Sequence, residues 1–229
     1  MQINDVGIVR RNILRADKDA VERLSRCGTA TIHEAMGRVG LMQHYMRPAY
    51  VGARFCGTAV TVLLQAGDNW MMHVAAEQIQ SGDVVVAACA TDCSDGFFGD
   101  LLATSFQARG CKGLVIDGGV RDVAELAAMD FPVFSKAINA RGTVKATLGS
   151  VNVDVVCAGA LVHPGDVIIG DADGVVVVPA ELAGAVADRA EKREALEVTK
   201  RERLRAGELG LDIYGMRETL AAAGLRYID

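Results

Sequence analysis

Arg121 and Asp122 stand side by side in this chain, and twenty residues separate them from the pair Gly99-Asp100. A guanidinium presents a planar fork to an anion, and an adjacent carboxylate is a ligand for a hard divalent cation. The stretch before Arg121 reads as an apolar strand, Leu114-Val115-Ile116, followed by a Gly118-Gly119 turn. Gly99-Asp100 reads as the start of a helix, so the amides of Gly99, Asp100, Leu101 and Leu102 are expected to be free to hold a carboxylate. Both anchors then fall at the same end of neighbouring parallel strands, where ligands of α/β sheets collect. The chemistry expected is a small carboxylated substrate bound beside a metal. Taken singly each piece is ordinary, because Gly99 can simply relieve backbone strain and Asp122 can simply cap a helix.

The remaining titratable residues read as weaker candidates. His33 lies beside Glu34 without an HExxH pattern, and His44 and His163 stand alone. His73 follows Trp70-Met71-Met72 and is expected to be a packed core or interface residue. Lys136, in Phe131-Pro-Val-Phe-Ser-Lys136, is the best Schiff-base lysine, against the commoner role of a lysine snorkelling at a strand end. Asp92 and Asp95 either line the site or make turns.

Those residues need a frame to position them. The 229 residues, 51% hydrophobic, suffice for one large core. A net charge of −5 gives no reason to expect nucleic acid. Met1–Gly7 lacks a signal-peptide pattern and no apolar run has the length of a membrane span, so the expectation is a cytoplasmic protein with no membrane contact. Six cysteines without a CxxC pair read as reduced thiols.

Helices are expected over 16–27, capped by Asp17, and from about Thr29 to Gly37. Residues 59–64, 84–90, 114–116 and 131–134 read as strands, with helices over 68–80, 100–109 and 121–129 and a loop over 91–98. That β-α-β-α-β order predicts a mostly parallel sheet. Three apolar runs between 143 and 178, broken by Gly, Asp and Pro, predict antiparallel hairpins or a small barrel-like sheet. The fold class is therefore α/β, with a catalytic domain over 1–178 and a helical extension over 179–229. From Glu191 to Arg205 that extension has too few apolar residues to fill a core, which fits either a solvated helix or an arm lying on a neighbouring subunit.

The chain resembles the class II 4-hydroxy-4-methyl-2-oxoglutarate / 4-carboxy-4-hydroxy-2-oxoadipate aldolases of the RraA-like family. The residues that carry the resemblance are Gly99-Asp100-x20-Arg121-Asp122-x2-Glu125, Thr31-Ile-His-Glu-Ala-Met-Gly-Arg, Gly67-Asp-Asn-Trp-Met and Gly207-Glu-Leu-Gly-Leu-Asp-Ile-Tyr-Gly-Met-Arg. The resemblance implies a compact β/β/α domain assembled into trimers or hexamers. It implies that Asp122 binds Mg²⁺ or Mn²⁺, with Co²⁺ a further option, largely through water. Arg121 then contacts the pyruvate moiety, the amides of residues 99–102 hold its carboxylate, and Asp100 stands near a candidate catalytic water. A glutamate from a neighbour's C-terminal helix approaches the metal, Glu197 being the best match and Glu194 the next.

The implied reaction is retro-aldol cleavage to pyruvate plus oxaloacetate, or to two pyruvates, with oxaloacetate decarboxylation as a side activity and protocatechuate or gallate breakdown as the setting. Two rivals have different requirements. A contact inhibitor of the ribonuclease E regulator type needs neither metal nor the long charged tail, and a class I aldolase needs Lys136.

Overall fold

The computed structural model describes residues 6–229. After α1 (Lys18–Leu24) and α2 (Thr29–Ala35) comes the short edge strand β1 (Arg47–Pro48). Four long strands follow: β2 (Phe55–Leu64), β3 (Asp83–Cys89), β5 (Gly113–Val120) and β6 (Val133–Ile138). Between them lie α3 (Trp70–Ala75), the short β4 (Gly96–Phe98), α4 (Asp100–Gln107) and α5 (Val123–Ala128). The remaining strands are β7 (Ser150–Val151), β8 (Val155–Cys157), β9 (Ala160–Val162), β10 (Val167–Asp171) and β11 (Gly174–Val178). A single 3₁₀ turn, Ala180–Leu182, leads into α6 (Ala183–Arg205).

The strand order is β1-β6-β5-β3-β2-β10-β11, with β4 paired to β5 and β7 to β2. The β2/β3, β3/β5 and β5/β6 pairs are parallel, as the alternation with helices requires; the β10 and β11 pairs are antiparallel. The edges nearly meet, since Arg47 on β1 donates to the Asp173 carbonyl in the β10–β11 turn at 3.0 Å. The result is a mixed α/β fold around a nearly closed, barrel-like sheet. One face packs Leu102, Phe106, Leu126 and Phe131 under α3, α4 and α5, and the other packs Phe55, Phe134 and Val162 beneath the β8–β9 hairpin. A third cluster seats α1, α2 and the start of α6 on β10 and β11. The buried Asp83 at the foot of β3 anchors the N-terminal segment through a fork from Arg15, both bonds 2.8 Å long.

Several local expectations need correction. The helix expected over 68–80 is only Trp70–Ala75, and the loop over 91–98 contains β4. The strand at 114–116 runs on to Val120, so Gly118 and Gly119 lie inside it rather than in a turn. The reason is close approach: a Cβ on Gly119 would stand 2.2 Å from the Ser94 carbonyl, and the β4 loop can lie on the strand only because none is there. Residues 143–178 do form hairpins, but β10–β11 joins the main sheet through β2 and only β8–β9 stands apart.

By its contacts the chain divides into two compact units, Met1–Ala190 and Glu191–Asp229. The second comprises the rest of α6, α7 (Gly210–Ile213) and α8 (Arg217–Ala222). None of its residues is buried, and it is laced by ion pairs such as Arg193–Glu197 and Arg203–Glu208. Among the described residues no helix is long and apolar enough to cross a membrane.

Candidate functional site

The C-terminal ends of β4 and β5 lead directly into α4 and α5, and this double junction builds the site. Arg121 donates its backbone N–H to the Phe98 carbonyl at 2.9 Å, locking the two ends together. The next residue, Asp122, takes a left-handed conformation, φ 57° and ψ 41°, which aspartate tolerates better than most side chains. Its Oδ2 comes within 3.3 Å of the Asp100 amide at the start of α4 and within 3.5 Å of Arg121 Nε. Gly99 makes this possible, because a Cβ there would stand 2.0 Å from Asp122 Oδ2.

Around this corner lies a cavity of about 130 Å³, lined by Gly99, Asp100, Leu101, Leu102, Arg121 and Asp122. The structure thus brings all the expected residues of the first unit together. It also shows that two of the four expected amides are engaged by the protein's own carboxylates. Asp100 N–H points to Asp122, and Leu101 N–H donates to Asp100 Oδ1 at 2.8 Å.

Three cavity residues escaped the sequence reading. Asn69 caps α3 and ties it to β4 by donating Nδ2–H to the Phe97 carbonyl at 2.9 Å. His73 lies one helical turn further on, exposed to the cavity, so of the two expected places, core or interface, the core of this chain is excluded. Burial and the nearby Lys145 hold its pKa below the ordinary histidine value, so it tends to be neutral. The signal was the i, i+4 spacing of Asn69 and His73, which places both on one helix face. Lys145 comes from an irregular segment with no periodicity to read.

Lys136 lies elsewhere, ion-paired with Asp92 and 5.9 Å from the centre of the Tyr45 ring, and is not among the residues lining the cavity. Glu197, in the second unit, pairs with Arg193 at 3.3 Å. All six cysteines are free thiols, and burial pushes the Cys56 and Cys89 thiols up to about 12, so they are not nucleophiles at neutral pH.

No group of three or more His, Cys, Asp or Glu side chains that could hold a metal exists among the described residues. Asp122 with Asp100 beside it fits a different kind of centre: a hard cation bound through one carboxylate and a shell of water. Arg121 and Lys145 supply positive charge around the same space.

The chain is thus a nearly closed α/β sheet with a charged pocket at its parallel strand ends. The chain belongs to the RraA-like family, whose model, described as Aldolase/RraA, matches residues 29–177. A protein of Halalkalibacterium halodurans, named provisionally as a 4-hydroxy-4-methyl-2-oxoglutarate aldolase, is 30% identical over 181 residues, 79% of this chain and 86% of the relative. Among solved structures, an uncharacterized protein of Pseudomonas syringae superimposes with a TM-score of 0.74 at 28% identity, covering 86% of this chain and 97% of that one. Streptomyces coelicolor RraAS2, titled an unusual member of the RNase ES inhibitor RraA protein family, gives 0.70 at 28%, covering 83% and 99%.

Proposed function

We propose that the protein is a divalent-metal-dependent lyase of the class II pyruvate aldolase type. Its substrates are 4-carboxy-4-hydroxy-2-oxoadipate, cleaved to pyruvate and oxaloacetate, and 4-hydroxy-4-methyl-2-oxoglutarate, cleaved to two pyruvates. The observation that carries this reading is the placement of Arg121 and Asp122 on one cavity at the N-terminus of α4.

Cleavage leaves an enolate, so negative charge grows on the substrate's C2 oxygen. Asp122 would hold Mg²⁺ or Mn²⁺, with Co²⁺ a third option, and the ion would supply Lewis-acid stabilisation of that charge. Arg121, whose backbone is fixed by the β4–β5 junction, grips the same oxygen and the C1 carboxylate through its fork. The N-terminal amides of α4 take the rest of the carboxylate. Asp100 orients a water that removes the proton from the C4 hydroxyl. Lys145 faces the far carboxylate. Loss of CO₂ from oxaloacetate leaves the same enolate, so decarboxylation accompanies cleavage, and the setting is a late step of protocatechuate or gallate breakdown.

The reading includes a homo-oligomer, trimeric or hexameric, in which Glu197 of a neighbouring copy orients water at the metal. Supporting this, the unit over 191–229 buries no side chain of its own and exposes Leu196, Val198, Tyr214 and Met216. The likeness to RraAS2 favours a second reading, contact inhibition of a ribonuclease. An assay of pyruvate release from both aldols, run beside a ribonuclease E inhibition assay, separates them. Pyruvate without inhibition supports the lyase, and inhibition without pyruvate contradicts it.

A further inference from the structure

Asp68 is a carboxylate that the reaction described above does not use. Only 3% exposed, it lies between β2 and α3, next in the chain to Asn69 of the cavity lining. Its Oδ1 accepts the Trp70 N–H at 2.8 Å, and its Oδ2 accepts those of Ala146 at 2.6 Å and Thr147 at 2.7 Å. The same two segments are joined by backbone bonds from Asn69 N–H to the Val144 carbonyl, 3.1 Å, and from Val144 N–H to the Gly67 carbonyl, 2.8 Å. Nothing apolar holds the second segment down, since residues 144–148 are all exposed, with Val144 at 62% and Leu148 at 51%. In its middle stands Lys145, which lines the cavity with Arg121 and Asp122. Burial alone raises the Asp68 pKa, but the three N–H groups and Lys145 outweigh it, and the carboxyl stays charged below its ordinary value.

We infer that Asp68 is a positioning residue, a latch that holds the 143–147 segment so that Lys145 receives the substrate carboxylate farthest from Arg121. The inference rests on reading the cavity as the site of a 2-oxo acid with at least one carboxylate beyond that at C1. A lysine on an untethered segment must be ordered when the ligand arrives, and that cost weakens binding; a lysine already held in place avoids it. Pyruvate, with one carboxylate, is satisfied by Arg121 and α4, so the latch acts selectively on the longer acid.

The sign of the effect separates a latch from simple electrostatics. Asp68 is itself an anion close to the site, and removing its charge alone strengthens the attraction for a dianion. Removing a latch weakens that attraction. Asp68→Asn therefore distinguishes the two by direction.

The experiment measures calorimetric dissociation constants in Mg²⁺ for pyruvate and for 2-oxoglutarate, which lacks the C4 hydroxyl and cannot be cleaved. It uses the full chain as wild type, Asp68→Asn, Lys145→Ala and the double variant, with hydrogen exchange followed at Ala146 and Thr147. The latch predicts that Asp68→Asn weakens 2-oxoglutarate tenfold or more and pyruvate less than threefold, while exchange at the two amides accelerates. Lys145→Ala shows the same selectivity, and the double variant binds no more weakly than Lys145→Ala, because Asp68 acts through Lys145. Unchanged or tighter 2-oxoglutarate binding in Asp68→Asn overturns the inference, as do equal losses for both acids or additive losses in the double variant. Lys145 is exposed and its replacement leaves the fold intact, so unchanged selectivity in Lys145→Ala overturns it even if Asp68→Asn does not fold. A wild type that shows the selectivity yet releases no pyruvate from either aldol keeps the latch and contradicts the cleavage reaction alone.

Discussion

The Cα of Gly99 faces the carboxylate of Asp122 so closely that a Cβ on Gly99 would lie 2.0 Å from Oδ2. The glycine backbone is extended, φ −156°, so an alanine meets no torsional objection there. Gly99→Ala is therefore a steric probe chiefly of Asp122, with Arg121 Cγ, 3.2 Å from the same Cβ, pressed less hard. The expected result is a folded protein, destabilised by about 1–3 kcal/mol as for other overpacked sites. Metal affinity falls about 10–100-fold as Asp122 is pushed aside. Thermal melting together with Mn²⁺ titration checks both numbers.

Arg121→Lys tests the fork. An ammonium cannot reproduce two parallel bonds to carboxylate and enolate. Loss of one such donor is worth roughly 2.7–4 kcal/mol, or about 10²–10³ in kcat. Arg121 is half exposed, so the variant should melt within a degree or two of wild type. A variant that keeps more than half of the wild-type kcat removes Arg121 from the reaction.

How much of this the chain disclosed depended on the kind of signal. The parallel strands were legible because they are buried on both faces and read as unbroken apolar runs, as in Val84-Val85-Val86 and Leu114-Val115-Ile116. The Gly99–Leu102 and Arg121–Asp122 anchors were legible because helix starts carry local signatures. The continuation of β5 through Gly118-Gly119 was not, since glycine pairs usually mark turns and only the long-range approach of Ser94 explains them here. His73 read as a core candidate because its neighbours Met71 and Met72 are core residues, while its own helix face opens on the cavity. Asp68 and Lys145 were invisible as a pair: their link runs through backbone amides across nearly eighty residues.

Glu197 is tested by subunit complementation. Asp122→Ala and Glu197→Ala proteins are mixed under conditions in which oligomers exchange, at a Mg²⁺ concentration too low for either to turn over appreciably. If sites are completed between copies, some mixed sites contain both intact residues and activity returns. Exchange without recovery places the site within one chain and leaves α6 a solvated arm.

His163 donates to Asp154 at 2.9 Å, and this hydrogen bond is the main reason its pKa is raised above the ordinary 6.5. A raised histidine contributes its stabilisation in full below the unfolded pKa and loses it as pH rises through the folded value. Both side chains are half exposed, so solvent screening limits the effect to under about 1 kcal/mol. For a chain of this size that is at most about 2–4 °C in Tm. Asp154→Asn should lower Tm by such an amount at pH 5.5 and leave it nearly unchanged at pH 8.5. An equal shift at both values shows that the pair contributes without titrating.

Whether a divalent cation held by Asp122 drives the cleavage is tested most directly by pyruvate release from 4-carboxy-4-hydroxy-2-oxoadipate as a function of Mg²⁺, after EDTA treatment, for wild type and Asp122→Ala. Such a role requires no turnover without metal, saturable activation of the wild type, and an Asp122→Ala curve displaced to much higher Mg²⁺ with a lower plateau. Turnover that survives EDTA, or two activation curves that superimpose, would contradict it.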